Sequence, residues 1–296
     1  MESVNDFLIA DLDVRIIFKG GEINNIGLLR SFEPFRTNNP NGSRPILQMT
    51  VDDTLIPKAK EERQRVKRFE TGNGDTIVDR LSDGGYQFII RDMGGNDRAL
   101  MQINGRFDEA WCALRGNAVQ RSFGLNSAMM SAFAFAARYK QAALIHAAAV
   151  CKDGYGYAFI AASGTGKSTH ADMWLKTVPG CQLLNDDNPV LRFIDDTPYI
   201  YGSPWSGKTT CYRQHKMRLG AIARINRASE NSIEKVNGLM AFGALLPSFT
   251  TMRWETSFFN DICDIITQVV KAGNIYVMHC LPDENAATVC SKAILR

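Results

Sequence analysis

The chain is expected to fold as α/β (α+β), with a smaller β-rich region over residues 1–115 ahead of a mixed-sheet domain over residues 116–296. Three features lead there. Short apolar stretches separated by glycine, asparagine and aspartate turns fill the first hundred residues. An apolar repeat every four residues sets in near Gly116. Two almost unbroken apolar runs, 142–150 and 157–162, then lead into a glycine-rich loop, as buried strands do in α/β domains.

In the first region, strands are expected at 14–18, 46–51, 86–91 and 99–103. Each is closed by a turn pair: Gly20-Gly21, Asp52-Asp53, Gly94-Gly95 and Asn104-Gly105. Between them, residues 58–68 hold six bases and two acids. The interrupting acids and the absence of interleaved aromatics make this a solvated loop or short helix rather than an anion-binding patch. After Gly116, Leu125, Met129, Phe133 and Ala137 form the buried stripe of a helix, with Asn126 at its N-cap position. Such a stripe is core and carries no chemistry.

The strands 142–150 and 157–162 are joined by the tight connection Lys152-Asp-Gly-Tyr-Gly156. A helix over 167–177 follows, then an apolar strand from Cys181 to Asp186-Asp187, an ordinary turn at Asp195-Asp196, and a strand running from Tyr199 into a Pro/Gly-rich loop. A strand at 220–226, helices at 232–246 and 255–272, a strand at 275–280 and a last helix opened by Pro282 and ending near Ile294 complete the chain.

Composition removes several classes. With 45% hydrophobic and 22% charged residues the chain is globular. Thirty-four bases against 31 acids leave a net charge of +3, too little for a nucleic acid or an anionic membrane to be the main partner. The uncharged run 122–137 falls short of the roughly 18 residues a bilayer span needs. The first residues lack a basic-then-apolar leader, so no export signal is expected. Seven cysteines with no CxxC and no Cys/His cluster fit free thiols in a reducing compartment, and a cytoplasmic location is expected.

The informative motif is Ala161-Ala-Ser-Gly-Thr-Gly-Lys-Ser168, which follows G-x-x-x-x-G-K-[ST] except for Ala161 at the first glycine. Gly164 and Gly166 lack Cβ atoms, so the amides of Ser163, Gly164, Thr165, Gly166, Lys167, Ser168 and Thr169 can converge on phosphate oxygens at a helix N-terminus. Lys167 supplies a cation for the β- and γ-phosphates, and the Ser168 hydroxyl a ligand for Mg²⁺. Ala161 is harmless provided its φ is negative. Asp186 and Asp187 close an apolar strand next to this loop. One can hold Mg²⁺ and the other can take a proton from an incoming hydroxyl, with the two duties interchangeable.

Leu144-Ile-His-Ala-Ala-Ala-Val150, the strand at 157–162, Ser163-Gly-Thr-Gly-Lys-Ser-Thr169 and Asn185-Asp-Asp187 together resemble the catalytic core shared by HPr kinase/phosphorylase and ATP-dependent phosphoenolpyruvate carboxykinase. The likeness spans about residues 144–208, roughly a fifth of the chain. It implies a phosphoenolpyruvate-carboxykinase-like P-loop domain, and it puts His146 beside the metal, as in the carboxykinases where the matching histidine binds Mn²⁺. It also implies that the strand after the aspartate pair returns to the site, which would let Lys208 neutralise phosphate charge, with Trp205 either an acceptor-pocket wall or a core residue. HPr kinases are oligomers, so a homo-oligomer is also implied. Arg224, Arg227 and Arg253 are further phosphate-binding candidates that the sequence does not rank.

The expected activity is ATP-dependent, Mg²⁺-assisted phosphoryl transfer to a hydroxyl acceptor: a protein serine, a peptide or a metabolite. Mn²⁺ could replace Mg²⁺. Ser203-Pro-Trp-Ser-Gly-Lys208 stands where HPr kinase carries a Gly-rich acidic segment, so HPr is not the expected acceptor. The motifs of a carboxykinase's dicarboxylate site are not found. An ATP-gated protein- or peptide-binding module with little turnover, with the β-rich region as receptor, and a carboxykinase-type enzyme are the alternatives; the reverse phosphorolysis remains open.

Overall fold

The computed structural model describes residues 2–38 and 44–296. They form two compact units, Met1–Ala137 and Arg138–Arg296, each built on a mixed sheet, so the chain is of the α+β class. The division expected at 115/116 marks the start of a helix, whereas the first unit extends through it.

The first unit contains β1 (Ser3–Ile9), β2 (Leu12–Phe18), β3 (Leu47–Val51), β4 (Arg63–Thr71), β5 (Gly74–Leu81), β6 (Tyr86–Arg91), β7 (Asp97–Ile103) and β8 (Glu109–Leu114). Their spatial order is β1-β2-β3-β8-β7-β6-β5-β4, with β2–β3 and β3–β8 parallel. Helix α1 (Ala118–Ala137) packs on this sheet, and Leu125, Met129, Phe133 and Ala137 are fully buried as their spacing requires. Phe135 stacks on Phe88 of β6 with ring centroids 5.4 Å apart. The helix starts well before Asn126. Its N-terminus is closed by a reciprocal pair, Gln120 N–H to Asn117 Oδ1 at 3.1 Å and Asn117 N–H to Gln120 Oε1 at 2.9 Å. Asn126 lies inside the helix and donates to the Ser122 carbonyl at 3.0 Å.

Residues 58–68 are also corrected. Only Lys60–Glu62 form a helical turn, and Arg63 onward is the edge strand β4. Opposite charges across the β4–β5 pair account for this: Arg63 and Arg65 both reach Asp79, and Arg68 meets Asp75 at 2.7 Å. Burial tends to raise the Asp79 pKa, but the two guanidinium groups outweigh it and hold the carboxyl below its ordinary range. A carboxylate with a depressed folded pKa stabilises above its unfolded pKa and loses that contribution as pH falls through the folded value. Asp79→Asn is therefore expected to cost about 1–3 kcal/mol at pH 7, discounted because Arg65 is half-exposed. Urea unfolding should show the gap to wild type closing as pH is lowered below the carboxylate range. Equal stabilities at pH 7 would contradict it.

The second unit contains β9 (Ala142–Leu144), β10 (Ala147–Lys152), β11 (Tyr155–Ile160), α2 (Lys167–Thr177), β12 (Gln182–Asn185), β13 (Val190–Ile194), β14 (Thr197–Tyr201), β15 (Lys216–Arg227), β16 (Ser232–Val236), α3 (Gly238–Leu245), α4 (Thr256–Ala272), β17 (Ile275–Cys280) and α5 (Glu284–Ile294). The sheet runs β12-β10-β11-β15-β14-β13-β9, with β17 added beside β15 and β16 beside β17. β11, β15 and β17 are mutually parallel, and β10 is antiparallel to both β11 and β12. Asp153 and Gly154, with φ of 51° and 80°, make the tight β10–β11 turn. Asp195 and Asp196, both at positive φ, turn β13 into β14.

Three expectations change here. The run 142–150 breaks at Ile145-His146 into two strands. The segment 232–246 begins as strand β16, which adds to β17, and the α-helix covers only 238–245. The last helix is capped by Asp283, whose Oδ1 accepts the Ala286 N–H at 2.9 Å, so Pro282 precedes the cap rather than opening the helix. α2 and α5 share a core with the sheet in which Trp174 is fully buried between Tyr157 and Phe159, 5.5 and 5.3 Å away by ring centroid. All seven cysteines are free thiols. Among the described residues, no helix is long and apolar enough to cross a membrane.

Candidate active site

Strand register assembles the site. Ala147 at the start of β10 pairs with Ile160 at the end of β11, and Ala149 pairs with Asn185 at the end of β12. The chain just before β10, the loop leaving β11 and the turn leaving β12 therefore meet at one sheet edge. His146, residues 161–166 and Asp186-Asp187 occupy those three places.

The loop has the backbone its glycines predict. Gly164 and Gly166 sit at φ 73° and 124°, where a side chain would be strained. Ala161 is buried and is not among the positive-φ residues, which removes the objection to its methyl group. α2 begins at Lys167 immediately after Gly166. Ser163 and Thr169 are exposed, and Thr165 and Ser168 are half-buried. Arg227, at the end of β15, donates to the Gly164 and Thr165 carbonyls at 2.6 and 3.1 Å. Because a peptide unit is planar, pinning the Thr165 oxygen turns the Gly166 N–H to the opposite side. Of the three arginines left unranked, Arg227 is thus the one tied to the loop. A basic residue closing the strand beside the loop-bearing strand was the available signal.

Lys167 is buried and its Nζ lies 2.7 Å from His146 Nε2. An ammonium only donates, so Nε2 accepts and the imidazole proton lies on Nδ1, which faces Asp187 Oδ1 at 3.1 Å. Asp187 Oδ2 accepts from Asn188 Nδ2 at 2.6 Å. Desolvation lowers the Lys167 pKa, opposed by Asp187 and Asp186. Asp186 is 4% exposed, and its Oδ2 accepts the Thr209 N–H at 2.9 Å.

Asn185, completely buried, organises the turn that carries both aspartates. Its Oδ1 accepts the Asp187 and Asn188 N–H groups at 2.9 and 2.8 Å, and its Nδ2 donates to the Trp205 carbonyl at 3.1 Å and Ser203 Oγ at 3.2 Å. This role was legible only as an Asx residue before two acids. Gly207 lets the following loop close over the pair, since a Cβ there would sit 3.1 Å from Asp186 Oδ2. Lys208 follows in that loop with its side chain exposed, and Trp205 is 6% exposed and serves as core. Asn185→Ala orphans a buried amide at Asn188 and a half-buried one at Asp187 and is expected to destabilise the unit by about 2–4 kcal/mol. Denaturant unfolding checks this, and a loss below about 0.5 kcal/mol would contradict it.

Among the described residues, no cluster of three or more His, Cys, Asp and Glu side chains forms a ready-made metal site. Individual oxygen donors are nonetheless at hand. The Ser168 hydroxyl and the Asp186 and Asp187 carboxylates are hard oxygen ligands of the kind Mg²⁺ or Mn²⁺ takes. Asp186 Oδ1 has no hydrogen-bond partner among the described residues, Asp187 Oδ2 keeps a lone pair beyond its one hydrogen bond, and Asp187 Oδ1 makes only the close contact with His146 Nδ1. His146 would have to release Lys167 to offer a nitrogen. No known protein family matches the chain, and no curated protein matches its sequence.

Proposed function

We propose that the chain is an ATP-dependent phosphotransferase acting on a hydroxyl acceptor, with the second unit a phosphoenolpyruvate-carboxykinase-like P-loop domain working in the cytoplasm, where seven free thiols stay reduced. One observation carries this reading: the phosphate-loop lysine and an acidic pair share one sheet edge and are linked through His146.

In the proposed reaction the loop amides and α2 N-terminus bind the triphosphate. Lys167 exchanges His146 for the β- and γ-phosphates, in a desolvated place where its charge acts strongly. His146, still held by Asp187, keeps that carboxylate oriented. Asp186, steadied by Thr209, takes the proton of the attacking hydroxyl on Oδ1. Mg²⁺, held by Ser168 and Asp187, would supply charge neutralisation on the phosphates. Lys208, exposed on the loop beside Asp186, would meet the acceptor or the γ-phosphate.

The test is incubation with γ-labelled ATP and pools of proteins, peptides and metabolites, followed by mass spectrometry. Label on an acceptor hydroxyl, with one ADP formed per phosphate transferred, is expected. ATP-dependent capture of a partner with no label transferred would overturn the reading.

A further inference from the structure

A cavity of about 380 Å³ opens beside the phosphate loop, within the roughly 300–1,000 Å³ range of small-molecule sites. Thr169, His170 and Met173 of α2, Ile225 and Arg227 of β15, and Pro282 line it. It lies beyond the C-terminal ends of the parallel strands β15 and β17, where open α/β sheets bind their ligands. Neither the acidic pair, His146 nor Lys208 borders it, so the reacting phosphoryl group belongs elsewhere and the cavity suits the opposite end of a nucleotide.

His170 has an unexplained feature. It is 1% exposed, and its Nε2 accepts the Trp174 indole N–H at 3.2 Å. An indole nitrogen only donates, so the neutral ring carries its proton on Nδ1. Burial pushes the His170 pKa down to about 4, in keeping with a neutral ring. Nδ1 has no hydrogen-bond partner, which leaves a buried donor unsatisfied in the protein alone.

We propose that this cavity seats the adenine ring of the nucleotide and that His170 recognises it by donating its Nδ1–H to a ring nitrogen. Met173, Ile225 and Pro282 supply apolar surface for the ring, while Arg227 joins the pocket to the loop through the Gly164 and Thr165 carbonyls. The inference rests on the phosphotransferase reading, and the experiment separates the two.

Affinities are measured for Mg-ATP, Mg-tripolyphosphate and the 1-, 3- and 7-deaza analogues of ATP, on wild type and on Ala228→Trp, a substitution that fills the cavity from a half-buried wall position. Ala228→Trp is expected to weaken Mg-ATP about tenfold or more and leave tripolyphosphate within about twofold. One deaza analogue should bind wild type about tenfold more weakly than ATP, the loss expected when a buried donor goes unpaired. If Ala228→Trp binds ATP as wild type does, or if all three analogues match ATP, the pocket assignment fails while the phosphate-loop reading survives. If wild type binds neither ATP nor tripolyphosphate, both fail.

Discussion

Asp186→Asn is expected to lower turnover about 10²- to 10⁴-fold while leaving Mg-ATP affinity within about threefold, because it removes the proposed general base and keeps the shape. The amide oxygen can still accept the Thr209 N–H, so the loop carrying Lys208 stays in place. The turn is held independently by Asn185, whose bonds do not pass through the Asp186 side chain. What disappears is a carboxylate oxygen, Asp186 Oδ1, that has neither a hydrogen-bond nor an ion-pair partner among the described residues. A folded variant with wild-type kcat would remove Asp186 as the base. A variant that loses ATP affinity with kcat intact would instead make it a binding residue, since kcat and KM separate the two roles.

Lys167→Ala is expected to cost about 10²- to 10³-fold in kcat/KM for ATP, the scale of deleting one preorganised charge from a desolvated site. The side chain is buried at the N-terminus of α2, and desolvation weakens its hold on its proton, so a triphosphate would gain more from it than from a solvated lysine. Folding should survive. The lost partner is His146, which is half-exposed and can turn to water. Lys167→Arg is expected to recover little, because a planar guanidinium does not replace a point charge in the same space. Unchanged steady-state kinetics in Lys167→Ala would contradict the role.

Much of this was readable from residues alone because local rules sufficed. The helix at 167–177, the strands at 86–91 and 275–280 and the turn at Asp195-Asp196 follow from period and turn chemistry, and each appears where expected. Failures arose where a partner distant in sequence decides. Residues 63–68 become a strand because Asp75 and Asp79 wait on the neighbouring strand, and 232–236 because β17 offers an edge. His146 was linked to the loop by resemblance; its bridge from Lys167 to Asp187 depends on register, which no local pattern encodes. Arg227 and His170 went unranked for the same reason. Their significance lies in what they touch across the sheet edge: two loop carbonyls for one, a cavity and an indole for the other.

The most direct measurement is titration calorimetry of Mg-ATP into the wild-type chain. A saturable one-to-one isotherm, abolished by excess tripolyphosphate, is predicted, since the polyphosphate tail is what the loop between β11 and α2 would hold. No heat of binding across millimolar Mg-ATP, from protein that unfolds cooperatively in a parallel denaturation, would contradict it.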